Sequence, residues 1–227
     1  MGKSNKLMIQ QSKALAAAVR ADDLEAVREA LRPMDLAEDD WDLEILDAAI
    51  DAAQLEIVAA IFDAGASPKA YTTYLGAGAA TGSLSLVELL LNKKVLINGT
   101  NWAKVSALMQ AAHEGQLEIA RAILAKRCKV DLKDREHGQT ALMLAAARGH
   151  GELVAALLDK GAKAELADKH GETALTLAAA AGHEAMVSQL EAAGADASRA
   201  QEVAGKGLEP DLLCSAPAEI YAYRIRG

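Results

Sequence analysis

The residues that could do chemistry are few, and their spacing does not assemble them. Histidines stand at His113, His137, His150, His170 and His183, and cysteines at Cys128 and Cys214. A zinc site needs ligands at short fixed intervals, as in C-x-x-C or H-E-x-x-H, and neither pattern occurs. Nucleophilic catalysis needs an activated hydroxyl or thiol. Ser83 and Ser106 have no His and Asp set beside them by a recognisable motif. Glu38, Asp39, Asp40 and Asp42 could in principle exchange protons with a substrate. Their run reads instead as a solvated loop or helix start. There is no G-x-x-x-x-G-K-[ST] or G-x-G-x-x-G loop to cradle phosphate. The residues thus predict no catalytic group, no metal and no cofactor.

The elements that would position any site come from a repeat. Windows of 23 residues begin at Lys13, Glu44, Thr73, Ser106, Thr140 and Thr173. Their third position is always Leu: Leu15, Leu46, Leu75, Leu108, Leu142 and Leu175. Their sixth is always small: Ala18, Ala49, Gly78, Ala111, Ala145 and Ala178. Gly82, Gly115, Gly149 and Gly182 fill the tenth position of the last four. The pattern reads as a short helix, a tight turn, and a second helix with an apolar stripe. Composition agrees. The 227 residues include 51 alanines but only seven aromatics, so the core must be built by closely spaced helices rather than by strands.

The last two windows carry a further signature. Asp168-Lys169-His170-Gly171-Glu172-Thr173-Ala174-Leu175 is similar to D-x-x-G-x-T-P-L-H. Gly149-His150 and Gly182-His183 are similar to a G-H turn, and Gly194-Ala195-Asp196 to a G-A-D ending. The chain therefore resembles the ankyrin-repeat family. The resemblance implies an all-α solenoid of about six helix-turn-helix repeats with short β-hairpin loops over residues 1–198. Residues 199–227 would be a C-terminal extension, acting as a cap or as a partner-binding tail. Ala141 and Ala174 replace the family proline, and Met143 and Thr176 its histidine, so the hydrogen bonding at that turn should weaken. Lys94 and Arg127 stand where Gly65, Gly161 and Gly194 end their repeats, and would be strained if left-handed. One extra residue between Cys128 and Gly138 places a bulge near Lys133–His137.

In such stacks the hairpin tips form fingers and the first helices a palm, and partner proteins dock there. That assigns Trp41, Tyr71, Trp102, Lys104, His137 and His170 to the fingers, and Thr81, His113, Glu114 and Arg148 to the palm. Tyr74 should be half-buried at the base of a finger. Trp and Tyr are frequent binding anchors, so their gathering at hairpin positions points to a partner. His150 and His183 are expected to be structural.

Net charge is −8, which disfavours nucleic acid and anionic membrane as partners. The charge is segregated: residues 71–135 carry nine basic and five acidic groups, while the flanks are acidic. Few cysteines and no leader or membrane segment suggest a cytoplasmic monomer. The function expected is non-catalytic protein binding. An inhibitor or immunity-type protein that occludes an enzyme is one alternative. Another is a small-molecule-binding protein or enzyme using the extension.

Overall fold

The structure is a computed structural model that describes residues 3–32, 44–66 and 74–198. The expectations for Trp41, Tyr71 and the 199–227 tail lie outside the described residues. Twelve helices are described, in six antiparallel pairs. The inner helices are α1 (Lys3–Arg20), α3 (Glu44–Asp51), α5 (Tyr74–Ala80), α7 (Ala107–Glu114), α9 (Ala141–Arg148) and α11 (Ala174–Ala180). The outer helices are α2 (Leu24–Leu31), α4 (Leu55–Asp63), α6 (Leu84–Asn92), α8 (Leu117–Leu124), α10 (Gly151–Asp159) and α12 (Glu184–Ala192). Inner helices pack on inner helices and outer on outer, so the pairs stack in chain order. Each pair buries its apolar faces against the next, as a solenoid must.

The repeat positions explain the stack. All six third-position leucines are buried, and so is every small sixth-position residue. Gly78 shows why size matters there. A Cβ at that point would lie 2.7 Å from Leu90 Cδ1, so even alanine would require the Leu90 side chain of the paired helix to shift. Tyr74 is only 1% exposed and meets Phe62 edge to face, with ring centroids 6.4 Å apart. The half-buried finger position expected for it is therefore corrected. As the first residue of α5 its ring enters the core, where that helix has only glycine and alanine around Leu75 to fill space.

The tenth window position is left-handed in all six repeats: φ is 54° at Asp22 and Ala53, and 70–86° at Gly82, Gly115, Gly149 and Gly182. In the second, fifth and sixth repeats the eleventh residue reaches back across the preceding turn. Gln54 Nε2 donates to the Val19 carbonyl at 2.9 Å. The His150 ring lies over Gly115 and the His183 ring over Gly149, which gives both histidines their structural role.

The inner helices α7, α9 and α11 begin with capping boxes. Ser106, Thr140 and Thr173 each accept the N–H of the residue three further on. Met109 and Met143 return the bond through sulfur at 3.4 Å, and Thr176 through its hydroxyl at 2.8 Å. The reciprocal cap therefore survives loss of the family histidine, with a softer acceptor in two repeats. Lys94 is left-handed, with φ 60°, at a cost of about 1 kcal/mol. Arg127 is not. The chain tightens instead, with Cys128 N–H donating to the Lys126 carbonyl at 2.9 Å, and the expected strain is absent.

Among the described residues the hairpins form no named strand, only isolated antiparallel bridges, Thr100 with Ser106 and Ala167 with Thr173.

Candidate partner-binding face

Three successive fingers are built by one device. Asn101, Asp134 and Asp168 sit at equivalent points before α7, α9 and α11. Asn101 Oδ1 accepts the N–H groups of Ala103 and Val105, at 3.0 and 2.9 Å. Asp134 accepts those of His137 and Gln139, at 2.7 and 2.8 Å. Asp168 accepts those of His170 and Glu172, at 2.8 and 2.9 Å. Each side chain thus closes its own loop, as Asx turns do. The backbone pairs are Asn101 with Val105, Asp134 with Gln139, and Asp168 with Glu172. The middle finger is one residue longer than its neighbours, which puts the expected bulge between Asp134 and Gln139.

Neighbouring fingers are joined. Arg135 N–H donates to the Ala103 carbonyl at 2.7 Å, and Lys169 N–H to the His137 carbonyl at 2.8 Å. The Lys133 ammonium bonds the Ala167 carbonyl at 2.6 Å, and the Lys169 ammonium bonds the Arg135 carbonyl. None of these cross-finger bonds was legible in the sequence, though Asn or Asp recurring ahead of each helix start was a visible signal for the loop lock.

On this frame Trp102 projects from its finger and is 57% exposed, between the buried Asn101 and Ala103. Lys104 is exposed and left-handed, with φ 58°, where the next two fingers have Gly138 and Gly171. The half-buried His137 and exposed His170 bring their rings to 6.5 Å on adjacent fingers.

On the palm, His113, Glu114 and Arg148 come together. His113 is 6% exposed. The Arg148 guanidinium reaches its Nε2 at 2.5 Å, and Glu114 Oε1 lies 2.8 Å from Nδ1. Arginine can only donate, so Nε2 must accept and Nδ1 must carry the proton it gives Glu114. The imidazole is held neutral in this arrangement. Burial is the main cause of its lowered pKa; Arg148 and His150 add to it, while Glu114 opposes it. The accessible atoms here therefore belong to Glu114 and Arg148, both exposed. Thr81 stands apart. Its hydroxyl donates to the Gly78 carbonyl at 2.7 Å and accepts Ser83 N–H at 3.2 Å, which finishes the end of α5.

Gln110, on α7, went unremarked in the sequence. It is buried where α9 and α11 carry Leu144 and Leu177, and its Oε1 finds no partner among the described residues. No group of three or more His, Cys, Asp or Glu among the described residues could hold a metal ion. No described helix is long and apolar enough to cross a membrane.

Comparison with known proteins places this architecture. Residues 108–201 match the family model for ankyrin repeats, in three copies. The ankyrin repeat domain of Bcl-3, a member of the IkappaB protein family, superposes with a TM-score of 0.72 at 24% identity, covering 82% of this chain and 87% of that one. Over 64 residues the chain is 41% identical to the probable E3 ubiquitin-protein ligase XBOS33 of Oryza sativa subsp. japonica. It is 39% identical, again over 64 residues, to the E3 ubiquitin-protein ligase XBAT33 of Arabidopsis thaliana. Those stretches are 28% of this chain and 12% of the length of each relative. Ankyrin repeats are in general protein-binding scaffolds rather than catalysts. Residues 108–201 are thus similar to ankyrin repeats in sequence, and the stacked pairs, left-handed turns and finger loops give the described residues the ankyrin-repeat fold.

Proposed function

We propose that the protein is a non-catalytic scaffold that docks a partner protein on its fingers and palm, acting as a cytoplasmic monomer without a cofactor. Trp102 is the observation that carries this. Its loop is pinned by Asn101 and tied to the next finger, yet the ring is left largely in water. A large ring held in place loses little entropy on docking, which is the economy of a preformed anchor. Lys104 beside it keeps a charged side chain at a point where its neighbours use glycine, and strain of this kind concentrates at working surfaces. His137, His170, Glu114 and Arg148 continue the surface, and Trp41 and Tyr71 would extend the row toward the first repeats.

The test is comparative capture. Tagged wild-type protein and a Trp102→Ala/Lys104→Ala/His170→Ala variant are incubated with native lysate, and captured proteins are quantified by mass spectrometry. Thermal unfolding verifies that both baits are folded. A partner held by wild type should fall by roughly tenfold or more with the variant, as loss of a central aromatic anchor implies. Equal recovery from both baits rejects this face. If the partner is an enzyme, assaying it in the complex separates inhibition from bridging.

A further inference from the structure

A second surface lies away from the fingers, on the turns that leave the outer helices. The turns after α6, α8 and α10 span residues 92–98, 125–131 and 159–165. Together they carry Lys93, Lys94, Lys126, Arg127, Lys129, Lys160 and Lys163 against only three carboxylates, Asp131, Asp159 and Glu165. Lys93 pairs with Asp63 of the preceding turn. The other six cations are exposed, and none has a carboxylate partner among the described residues.

Hydrogen bonds hold these turns side by side. Asn98 Oδ1 accepts Lys129 N–H at 2.7 Å, and Asp131 Oδ1 accepts Lys163 N–H at 3.1 Å. The cations therefore recur in register across three neighbouring layers. Lys160 lies close enough to Cys128 of the previous layer to act on it electrostatically. Leu96, 43% exposed, occupies the position that Lys129 and Lys163 hold in the next two turns, so the row ends on an apolar side chain.

Helix ends do not account for this. A cation at a helix C-terminus is favoured only within its last turn. That covers Lys93, Lys126 and Lys160, but Lys129 and Lys163 lie beyond it. Over the same seven residues from the helix end, the sequence after α4 (63–69) has Lys69 alone and that after α12 (192–198) has no cation. The fold thus does not require strongly basic turns, and three consecutive ones carry two or three cations each.

We infer that this ridge is a second docking surface, for an acidic protein segment that sets an apolar side chain against Leu96. The size of the basic stretch selects the partner class. With a layer spacing of about 10 Å the three turns span about 20 Å, the length of roughly six extended residues. Residues 1–70 and 136–198 carry net charges of −7 and −5. A short acidic segment ends inside the basic patch, whereas a long nucleic acid or a flat anionic membrane would also face the acidic flanks.

The experiment uses the full chain and a fluorescein-labelled peptide of about fifteen residues built from Asp-Glu-Leu triplets, followed by anisotropy. Binding should weaken at least about tenfold from about 20 to about 200 mM salt, and a Gln-for-acid version should not bind. Lys126→Glu/Lys129→Glu/Lys163→Glu should lose at least about tenfold in affinity, and the gentler Lys→Gln triple should lose less but in the same direction. Leu96→Ser should remove the advantage of the leucine-bearing peptide over one with serine in its place. Lys104→Glu/Lys169→Glu on the fingers should leave the affinity within about twofold of wild type. Unchanged binding by both ridge triples overturns the inference. So does an equal loss from the finger variant, or tighter binding to oligothymidylate or to phosphatidylserine vesicles than to the peptide.

Discussion

At Asp22 and Ala53 the turn between paired helices is left-handed without a glycine; the residue after it is an aspartate that caps its own helix in the first case and a glutamine that reaches back to Val19 in the second. At Gly115 and Gly149 the same turn has glycine, and a histidine ring from the following repeat lies directly on it. The backbone is shared, but its local cost and its cover differ. In the early repeats the conformation is held against the preference of the side chain. In the later ones it is unstrained and sealed. The difference shows that the repeat specifies a backbone first, and that several chemistries can satisfy it.

Substituting the sealed glycine should sharpen this contrast most. Gly115→Ala puts a Cβ at 2.5–2.8 Å from three atoms of the His150 ring, on a backbone alanine resists. A loss of about 2–4 kcal/mol is expected in urea unfolding. Gly182→Ala has the same φ region but open space around it, and should lose only about 1 kcal/mol. Equal losses would mean that the ring is not seated on the turn.

Asp134→Ala comes next. It strips two N–H groups of their acceptor at a buried loop lock, and should cost about 2 kcal/mol, with faster hydrogen exchange at His137 and Gln139. Ala53→Gly runs the other way. Relief of a left-handed alanine should stabilise the protein by about 0.5–1 kcal/mol, and Asp22→Gly by less, since aspartate tolerates that region better. If Ala53→Gly destabilised the chain, the early turns would not carry the strain described.

The smallest effect belongs to His113. Folding holds its imidazole neutral, so the unfolded chain takes up the proton first as pH falls through about 6.5. The folded protein should lose stability from neutral pH toward pH ~5 and keep it above that window. His113→Gln should reduce that acid-side fall in Tm by about 1–3 °C.

Much of this was legible in the sequence because six windows repeat the same demand. A buried leucine at the third position and a small residue at the sixth are visible when they recur, and the G-H pairs point to a structural role for His150 and His183. What crosses from one repeat to the next was not legible. Arg148 reaches His113 over 35 positions, and the finger ladder uses backbone groups that every residue possesses. Tyr74 was misplaced because a hairpin position and a helix start are one residue apart, and that one step decides between solvent and core. The methionine sulfurs were missed for a similar reason: their side chains look apolar, yet they accept the N–H that a histidine would otherwise serve.

The backward reach of the eleventh residue has a consequence for synthesis. His150 belongs to the layer after Gly115, and His183 to the layer after Gly149, so neither of these two turns is finished by its own repeat. As the chain leaves the ribosome N-terminus first, each of these two layers must wait for the next one to emerge before its turn is closed. Folding during translation should therefore trail the growing chain by one repeat, and a ribosome stalled between His150 and His183 would hold a nascent protein whose newest complete turn is still open.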